Sequence, residues 1–169
     1  MNNLFLADLI NKLTKDEQEK IKHLHPVFAK MLAETLLQAR DEKLNVYLFQ
    51  GLRTFEEQDK LFAKGRNEKG EIVDKRKVVT YVKGGHSWHN YGLAGDIVFK
   101  DKNNRWSWRL SHNWQLLGEI GKDNGLTWGG DFRSFKDRPH FQYTGGLNII
   151  EALIKYEKGG LEKVWMAVI

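Results

Sequence analysis

The chain has 169 residues, 41% hydrophobic, 29% charged and 12% aromatic, the length and composition of one globular domain with a core of its own, which excludes a disordered chain. Cys 0 excludes a disulfide framework and a thiolate nucleophile, so any metal site must use histidine and carboxylate, and no run approaches the roughly 18 apolar residues that span a bilayer. With 27 basic against 22 acidic residues the net charge is +5 and the pI about 9.3, which favours an anionic partner: nucleic acid, an anionic lipid surface or an acidic polymer such as cell wall.

Along the chain, Met1 to Leu13 lacks both the basic stretch and the small-residue cleavage site of a signal peptide, and no leader or anchor is expected there. Thr14 followed by Glu17 makes a capping-box pattern and Pro26 suits a first helical turn, so two helices are predicted between Thr14 and about Asp41. In the second, Val27, Met31, Thr35, Leu36 and Ala39 fall on one face at helical spacing and read as core. Leu44 to Phe49, β-branched and aromatic, reads as a strand. Thr54 with Glu57 repeats the capping box before a helix ending near Gly65, which puts Arg53 at a strand-to-helix turn.

Basic residues are densest from Lys64 to Lys77, but Glu68, Glu71 and Asp74 interleave them, so Asn67 to Lys77 reads as a solvated loop rather than a DNA-reading face. Ala94 to Phe99 reads as a strand, Asn113 to Asn124 as a helix stopped by Gly125, and Phe141 to Tyr143 as a short strand after Pro139. Asn148 to Lys158 reads as a closing helix ended by Gly159 and Gly160 before a short apolar tail. With no βαβ rhythm, repeat or composition break, the class is α+β: a small antiparallel sheet with helices packed on it, one domain over residues 1–169.

The chemistry concentrates in two segments. Of the six histidines, His23, His25 and His112 are explained as surface or satisfied core residues, whereas His89 lies in Gly84-Gly85-His86-Ser87-Trp88-His89-Asn90-Tyr91-Gly92-Leu93-Ala94-Gly95-Asp96-Ile97. On a continuous helix His89 and Asp96 would stand about 10.5 Å apart along the axis, and on a straight strand more than about 22 Å. Neither geometry lets them share an ion. If Gly92 folds the chain back and Asp96 lies on the following strand, imidazole and carboxylate can converge, and a Cβ at position 92 would obstruct the turn. A loop histidine beside a strand aspartate, without metal, accounts for this segment equally well.

The second segment is Asp137-Arg138-Pro139-His140-Phe141-Gln142-Tyr143. Residues three apart on a strand point to opposite faces, but Pro139 holds Arg138 away from helical angles and leaves a bend after Asp137. Asp137 and His140 can then approach one site from the same side. Taken alone, an aspartate-initiated turn with His140 as strand filler is the simpler reading. Together the segments supply His89, Asp96 and His140 as ligands with a fourth position left for water, the arrangement of a catalytic zinc rather than a closed structural one. Asp137 is left over as a base. Zinc lowers the pKa of bound water toward about 7 and polarises a carbonyl, and a nearby carboxylate can pass the water proton to a leaving amine. That is the chemistry of amide hydrolysis.

The pattern Ser87-x-His89-x-x-Gly92-x-Ala94-x-Asp96, followed by Asp137-x-x-His140-Phe141, resembles the VanY-like zinc peptidases of bacterial peptidoglycan. That family includes D-alanyl-D-alanine carboxypeptidases and the L-alanyl-D-glutamate endopeptidases of bacteriophage endolysins. Gly51-Leu52-Arg53-Thr54-Phe55-Glu56-Glu57-Gln58 is similar to the family's arginine motif, and Trp128-Gly129-Gly130-Asp131-Phe132 to the segment ahead of its last ligand. The resemblance runs in matching order from about Phe49 to Tyr143. It implies the hedgehog/DD-peptidase-like fold, zinc held by His89, Asp96 and His140, and Asp137 as catalytic base. It also implies that Arg53 meets a substrate carbonyl or carboxylate and that Ser87 contacts substrate.

Within the family, Glu at the base position and His-Trp is usual in the carboxypeptidases and dipeptidases, whereas Asp137 with His140-Phe141, and the order Gly84-Gly85-His86-Ser87-Trp88-His89, resemble the endopeptidases. The resemblance therefore implies cleavage of the L-alanyl-D-glutamate bond, with release of terminal D-alanine as the alternative. His86 occupies a place that is neutral in the family pattern, and no role is assigned to it. An endolysin waits in the host cytoplasm without a signal peptide and then reaches the periplasm and wall; a bacterial enzyme exported by another route fits equally. The partner implied is the peptidoglycan stem peptide, with no nucleic acid, no stable membrane insertion and a monomeric chain. Two other classes compete: a metal-containing binding module, as in the hedgehog signalling domain, which the presence of Asp137 argues against, and a basic nucleic-acid binder using Trp88, Trp106, Trp108 and Trp114. Those tryptophans read more simply as core and wall of a substrate groove.

Overall fold

In chain order the elements are α1 (Asn3–Asn11), α2 (Lys15–Ile21), α3 (Pro26–Asp41), β1 (Val46–Gln50), α4 (Phe55–Ala63), β2 (Ala94–Lys100), β3 (Trp106–Ser107), α5 (Trp114–Asp123), β4 (Thr127–Trp128), β5 (His140–Gln142) and α6 (Ile149–Trp165). Short 3₁₀ turns occupy Lys75–Lys77, Trp88–Tyr91 and Gly129–Asp131. This computed structural model describes residues 3–169, with side chains from residue 6 onward. The first two residues of the stretch read for a leader lie outside the described residues. The chain divides into two compact units, Met1–Leu52 with Gly92–Tyr143 and Arg53–Tyr91 with Thr144–Ile169.

The first unit holds the sheet, ordered β1-β2-β5-β4 with β3 also on β2, every pair antiparallel. Alternation decides its faces: Leu48 pairs with Ile97 and Val46 with Phe99, and these side chains are buried on the face toward α3. A Cβ on Gly95 would stand 3.0 Å from Leu32 of α3, so the helix lies close against the strand there. Fully burying side chains such as Phe28, Leu32 and Leu36 stabilises the fold by about 1.5–3 kcal/mol each. The buried stripe is Phe28, Leu32, Thr35, Leu36 and Ala39, while Val27 and Met31 are only half-buried. The expected face is thus rotated, because Met31 sits at the edge of the stripe, 3.4 Å from where a Cβ on Gly125 would lie.

The Thr14–Glu17 capping box forms at α2, and Glu17 does more than cap. Its other carboxylate oxygen accepts from Leu48 N of β1 at 3.0 Å and pairs with Arg40 of α3. One buried acid therefore ties a helix start, a second helix and a strand. His25 caps α3 through Nδ1, and its backbone N–H donates to Gly92 O at 2.9 Å. α1, which no capping pattern announces, lies ahead of the two expected helices.

In the second unit α4 begins with the Thr54–Glu57 capping box, and α6 with a capping box of Asn148 and Glu151. Phe55, Tyr91 and Tyr156 form its aromatic centre, with ring centroids 4.8–6.1 Å apart. Gly159 and Gly160 leave helical angles as expected, but the helix resumes to Trp165 where an apolar tail was expected. Val164 is fully buried and Trp165 Nε1 donates to Tyr91 O at 2.7 Å, which holds this last turn in place. The charged Asn67 to Lys77 loop is exposed over most of its length and uses its acids locally, Asp74 pairing with Arg76 and Lys77. Among the described residues no helix is long and apolar enough to cross a membrane.

Candidate active site

In the first unit, sheet register positions the chemistry. β2 and β5 pair Asp96 directly with His140, and directly opposed residues share one face of an antiparallel pair. His140 Nδ1 lies 3.5 Å from Asp96 Oδ1. Its Nε2 lies 3.0 Å from Gln142 Oε1, so the ring is held between a carboxylate and an amide. Burial drives the His140 imidazole down, but the hydrogen bond and charge of Asp96, the charge of Asp137 and the Gln142 contact outweigh it and leave its pKa above the ordinary value.

Asp137 reaches this place through a turn. Its carbonyl accepts from His140 N at 3.2 Å across Arg138-Pro139, the bend expected from the proline. Two neighbours sequence reasoning did not single out individually hold that turn. Trp128, wedged where a Cβ on Gly118 or Gly130 would strike its ring at 2.2–2.3 Å, donates Nε1–H to Arg138 O at 2.7 Å. Gly129 accepts from Asp137 N, and a Cβ on it would meet Asp137 O at 2.4 Å and His140 Cβ at 3.0 Å. The Trp-Gly-Gly run was the signal. Gly92 has φ 65°, the left-handed conformation its turn required, and Asp96 lies on the strand that follows.

In the second unit, side-chain amides do this work. His89 is buried on the Trp88–Tyr91 turn, and its carbonyl accepts from Arg53 N at 3.0 Å. Asn90 donates to Arg53 O at 2.9 Å and Thr54 O at 3.2 Å and accepts from Gly85 N at 3.0 Å. It thereby joins the start of α4 to the Gly84-Gly85 turn. Arg53 is buried and donates to Gln58 Oε1 at 2.7 Å. Gln58, itself fully buried, donates onward to Thr80 Oγ1 and Val82 O. Ser87 is buried and its carbonyl accepts from Asn90 N at 2.9 Å. Gly85, φ 80°, packs where a Cβ would press on Leu153 and Phe55, and Tyr91 donates its hydroxyl to Gly85 O at 2.6 Å.

Of the anticipated residues, Asp96, Asp137 and His140 come together in the first unit, and Arg53, Ser87 and His89 in the second. His86 is exposed, its Nδ1 beside Gly84 O. His112 stacks on Phe99 at 4.4 Å with Nε2 2.7 Å from Ser107 Oγ, a satisfied structural histidine whose pKa burial lowers, helped by Arg109. Asn90, Gln58 and Gln142 were missed in these roles. Gln58 stood in the quoted arginine motif and Gln142 beside His140, but nothing in a sequence names the partner of an amide.

Residues 81–143 match the family model described as D-alanyl-D-alanine carboxypeptidase. The peptidoglycan L-alanyl-D-glutamate endopeptidase CwlK of Bacillus subtilis is 39% identical over 128 residues, 70% of this chain and 72% of that protein. The fold is similar to that of the Serratia marcescens L-Ala D-Glu endopeptidase ChiX, at TM-score 0.55 and 22% identity over 78% of this chain and 89% of that one. It is also similar to a variant of the vancomycin-resistance D,D-pentapeptidase VanY in complex with Zn(II), at TM-score 0.51 and 24% identity over 81% and 80%. The chain belongs to the VanY-like family of peptidoglycan peptidases, which spans D-alanyl-D-alanine carboxypeptidases and L-alanyl-D-glutamate endopeptidases.

Proposed function

We propose that this chain, one catalytic domain over residues 1–169, is a zinc peptidase that hydrolyses the L-alanyl-D-glutamate bond of the peptidoglycan stem peptide. His89, Asp96 and His140 hold the ion, Asp137 is the base, and Arg53 and Ser87 contact substrate. The observation that carries the reading is the Asp96–His140 pair on adjacent strands with the Asp137 charge acting on the same imidazole. The donor set fits in its chemistry: two imidazoles and one carboxylate, His89, His140 and Asp96, are a mix that zinc accepts in catalytic sites. Identity to CwlK and the Asp137, His140-Phe141 pattern favour the endopeptidase bond.

Zinc, when bound, supplies Lewis acidity at the scissile carbonyl and toward a water. The chain's own residues supply the rest. Gln142, with Oε1 3.0 Å from His140 Nε2, orients the imidazole so that Nδ1 faces Asp96. Asp137 takes a proton from water and returns it to the departing amine nitrogen. Arg53, steadied by Gln58, meets negative charge on the substrate with a planar, permanently charged donor. In its wider setting the enzyme is an endolysin held in the host cytoplasm until lysis, its +5 charge drawing it to an anionic wall. The family model's description favours a second reading, release of terminal D-alanine.

Asp137→Ala tests the assignment. It is expected to fold, bind zinc stoichiometrically and lose hydrolysis by about 10²–10⁴-fold, while chelation silences the wild type and zinc restores it. Equal rates for variant and wild type contradict the catalytic role of Asp137.

A further inference from the structure

The sheet of the first unit carries a second feature on the face opposite α3. Register places Asp96, Val98 and Lys100 on that face of β2, with Tyr47 opposite Val98, His140 opposite Asp96 and Trp106 opposite Lys100. Five side chains interlock there. Phe49 meets Trp106 edge-on at 5.0 Å and Trp108 at 5.3 Å. Lys100 Nζ lies 4.5 Å from the Tyr47 ring and 4.9 Å from Trp106. Trp108 is 49% exposed, and Tyr47, Phe49 and Trp106 are half-buried. A row of rings with an embedded ammonium thus starts about 7 Å along the strand from Asp96, at the Tyr47–Val98 pair, and reaches Lys100 about 13 Å from it on the same face.

We infer that this row is a binding platform for the glycan strand of peptidoglycan, set beside the site that cuts the stem peptide. The inference rests on the proposed activity, because a stem peptide is covalently attached to its glycan and a stem peptidase works next to sugar. Pyranose rings present flat C–H faces that lie on aromatic rings, and the lactyl-linked stems carry carboxylates that Lys100 complements. Single-stranded nucleic acid also stacks on aromatics, but it needs a groove of cations tracking its phosphates. Here Lys100 lies over Tyr47 and Trp106, Arg40 lies 4.7 Å from the Tyr47 ring, and Arg105 is paired with Asp101. These three cations sit against rings or an acid rather than along a phosphate chain, which favours the glycan.

The test uses the full-length protein, glycan strands enzymatically stripped of their stem peptides, and intact peptidoglycan. Wild type is expected to bind the stripped glycan, Trp108→Ala to bind about tenfold more weakly, and Trp108→Phe, which keeps a ring, to bind within about threefold of wild type. On intact peptidoglycan Trp108→Ala raises KM about tenfold with kcat unchanged, the signature of lost uniform binding. Asp137→Ala loses hydrolysis but binds stripped glycan as wild type does. Unchanged glycan affinity and KM in Trp108→Ala overturn the platform and leave the enzyme reading intact. Tighter, Trp108-dependent binding of a single-stranded oligonucleotide than of glycan overturns it in favour of nucleic acid. Trp108-dependent glycan binding by a wild type that cleaves no stem peptide supports the platform and overturns the activity instead.

Discussion

The two units place polar side chains by different means. In the first, backbone ladders do it: β2 and β5 register sets Asp96 against His140, and a hydrogen-bonded turn seats Asp137. In the second, His89 and Arg53 stand on a 3₁₀ turn and a helix entry held by two buried amides, Asn90 and Gln58. A ladder spreads positioning over many bonds, whereas an amide concentrates it in one residue. Single substitutions should therefore reveal the second arrangement more readily than the first, except where the first has no spare room.

The largest effect is expected at that exception. Gly129→Ala drives a Cβ into Asp137 O, and displacing the base by a fraction of an ångström to 1 Å costs about 10²-fold in kcat; steady-state hydrolysis of peptidoglycan checks it. Asn90→Ala strips partners from two carbonyls and one N–H and should destabilise by about 2 kcal/mol in denaturant unfolding. Amide-exchange protection of β2 and β5 should stay unchanged if the ladder stands by itself. Gln58→Leu removes the Arg53 acceptor and is expected to lower kcat/KM about tenfold, mostly through KM. An unchanged value would show that Arg53 needs no such support.

The smallest effect is a pH dependence. Burial, with the charges of Tyr156 and Glu157, pushes the Tyr91 hydroxyl up to about 12. A folded pKa above the unfolded value of about 10 means its stabilisation is complete below pH 10 and is lost as pH rises toward 12. Between pH 10 and 11 this removes about 1 kcal/mol. Tyr91→Phe should be less stable at neutral pH, having lost the bond to Gly85 O, but should show a shallower alkaline slope than wild type.

What the sequence made legible was local. Thr14–Glu17 and Thr54–Glu57 announced their helices because both halves of a capping box lie within four residues, and Pro139 announced the bend behind Asp137. Gly92 carried the demand for a left-handed turn. What stayed hidden depends on tertiary neighbours. β3 and β4, two residues each, are too short for any periodicity to register. The rotation of the α3 stripe follows from what packs on it, and the return of α6 after Gly160 from the burial of Val164. Glu17 reads as a cap, yet its second oxygen serves Leu48 and Arg40, residues 31 and 23 positions away. The amide roles of Asn90 and Gln58 were hidden for the same reason.

The most direct test of the proposed activity is mass spectrometry of the products released from purified peptidoglycan by the protein as prepared, after chelation and after zinc is restored. New L-alanine C-termini and D-glutamate N-termini that vanish on chelation and return with zinc are the predicted result. Released D-alanine, or no product from a folded protein that binds zinc stoichiometrically, would contradict it.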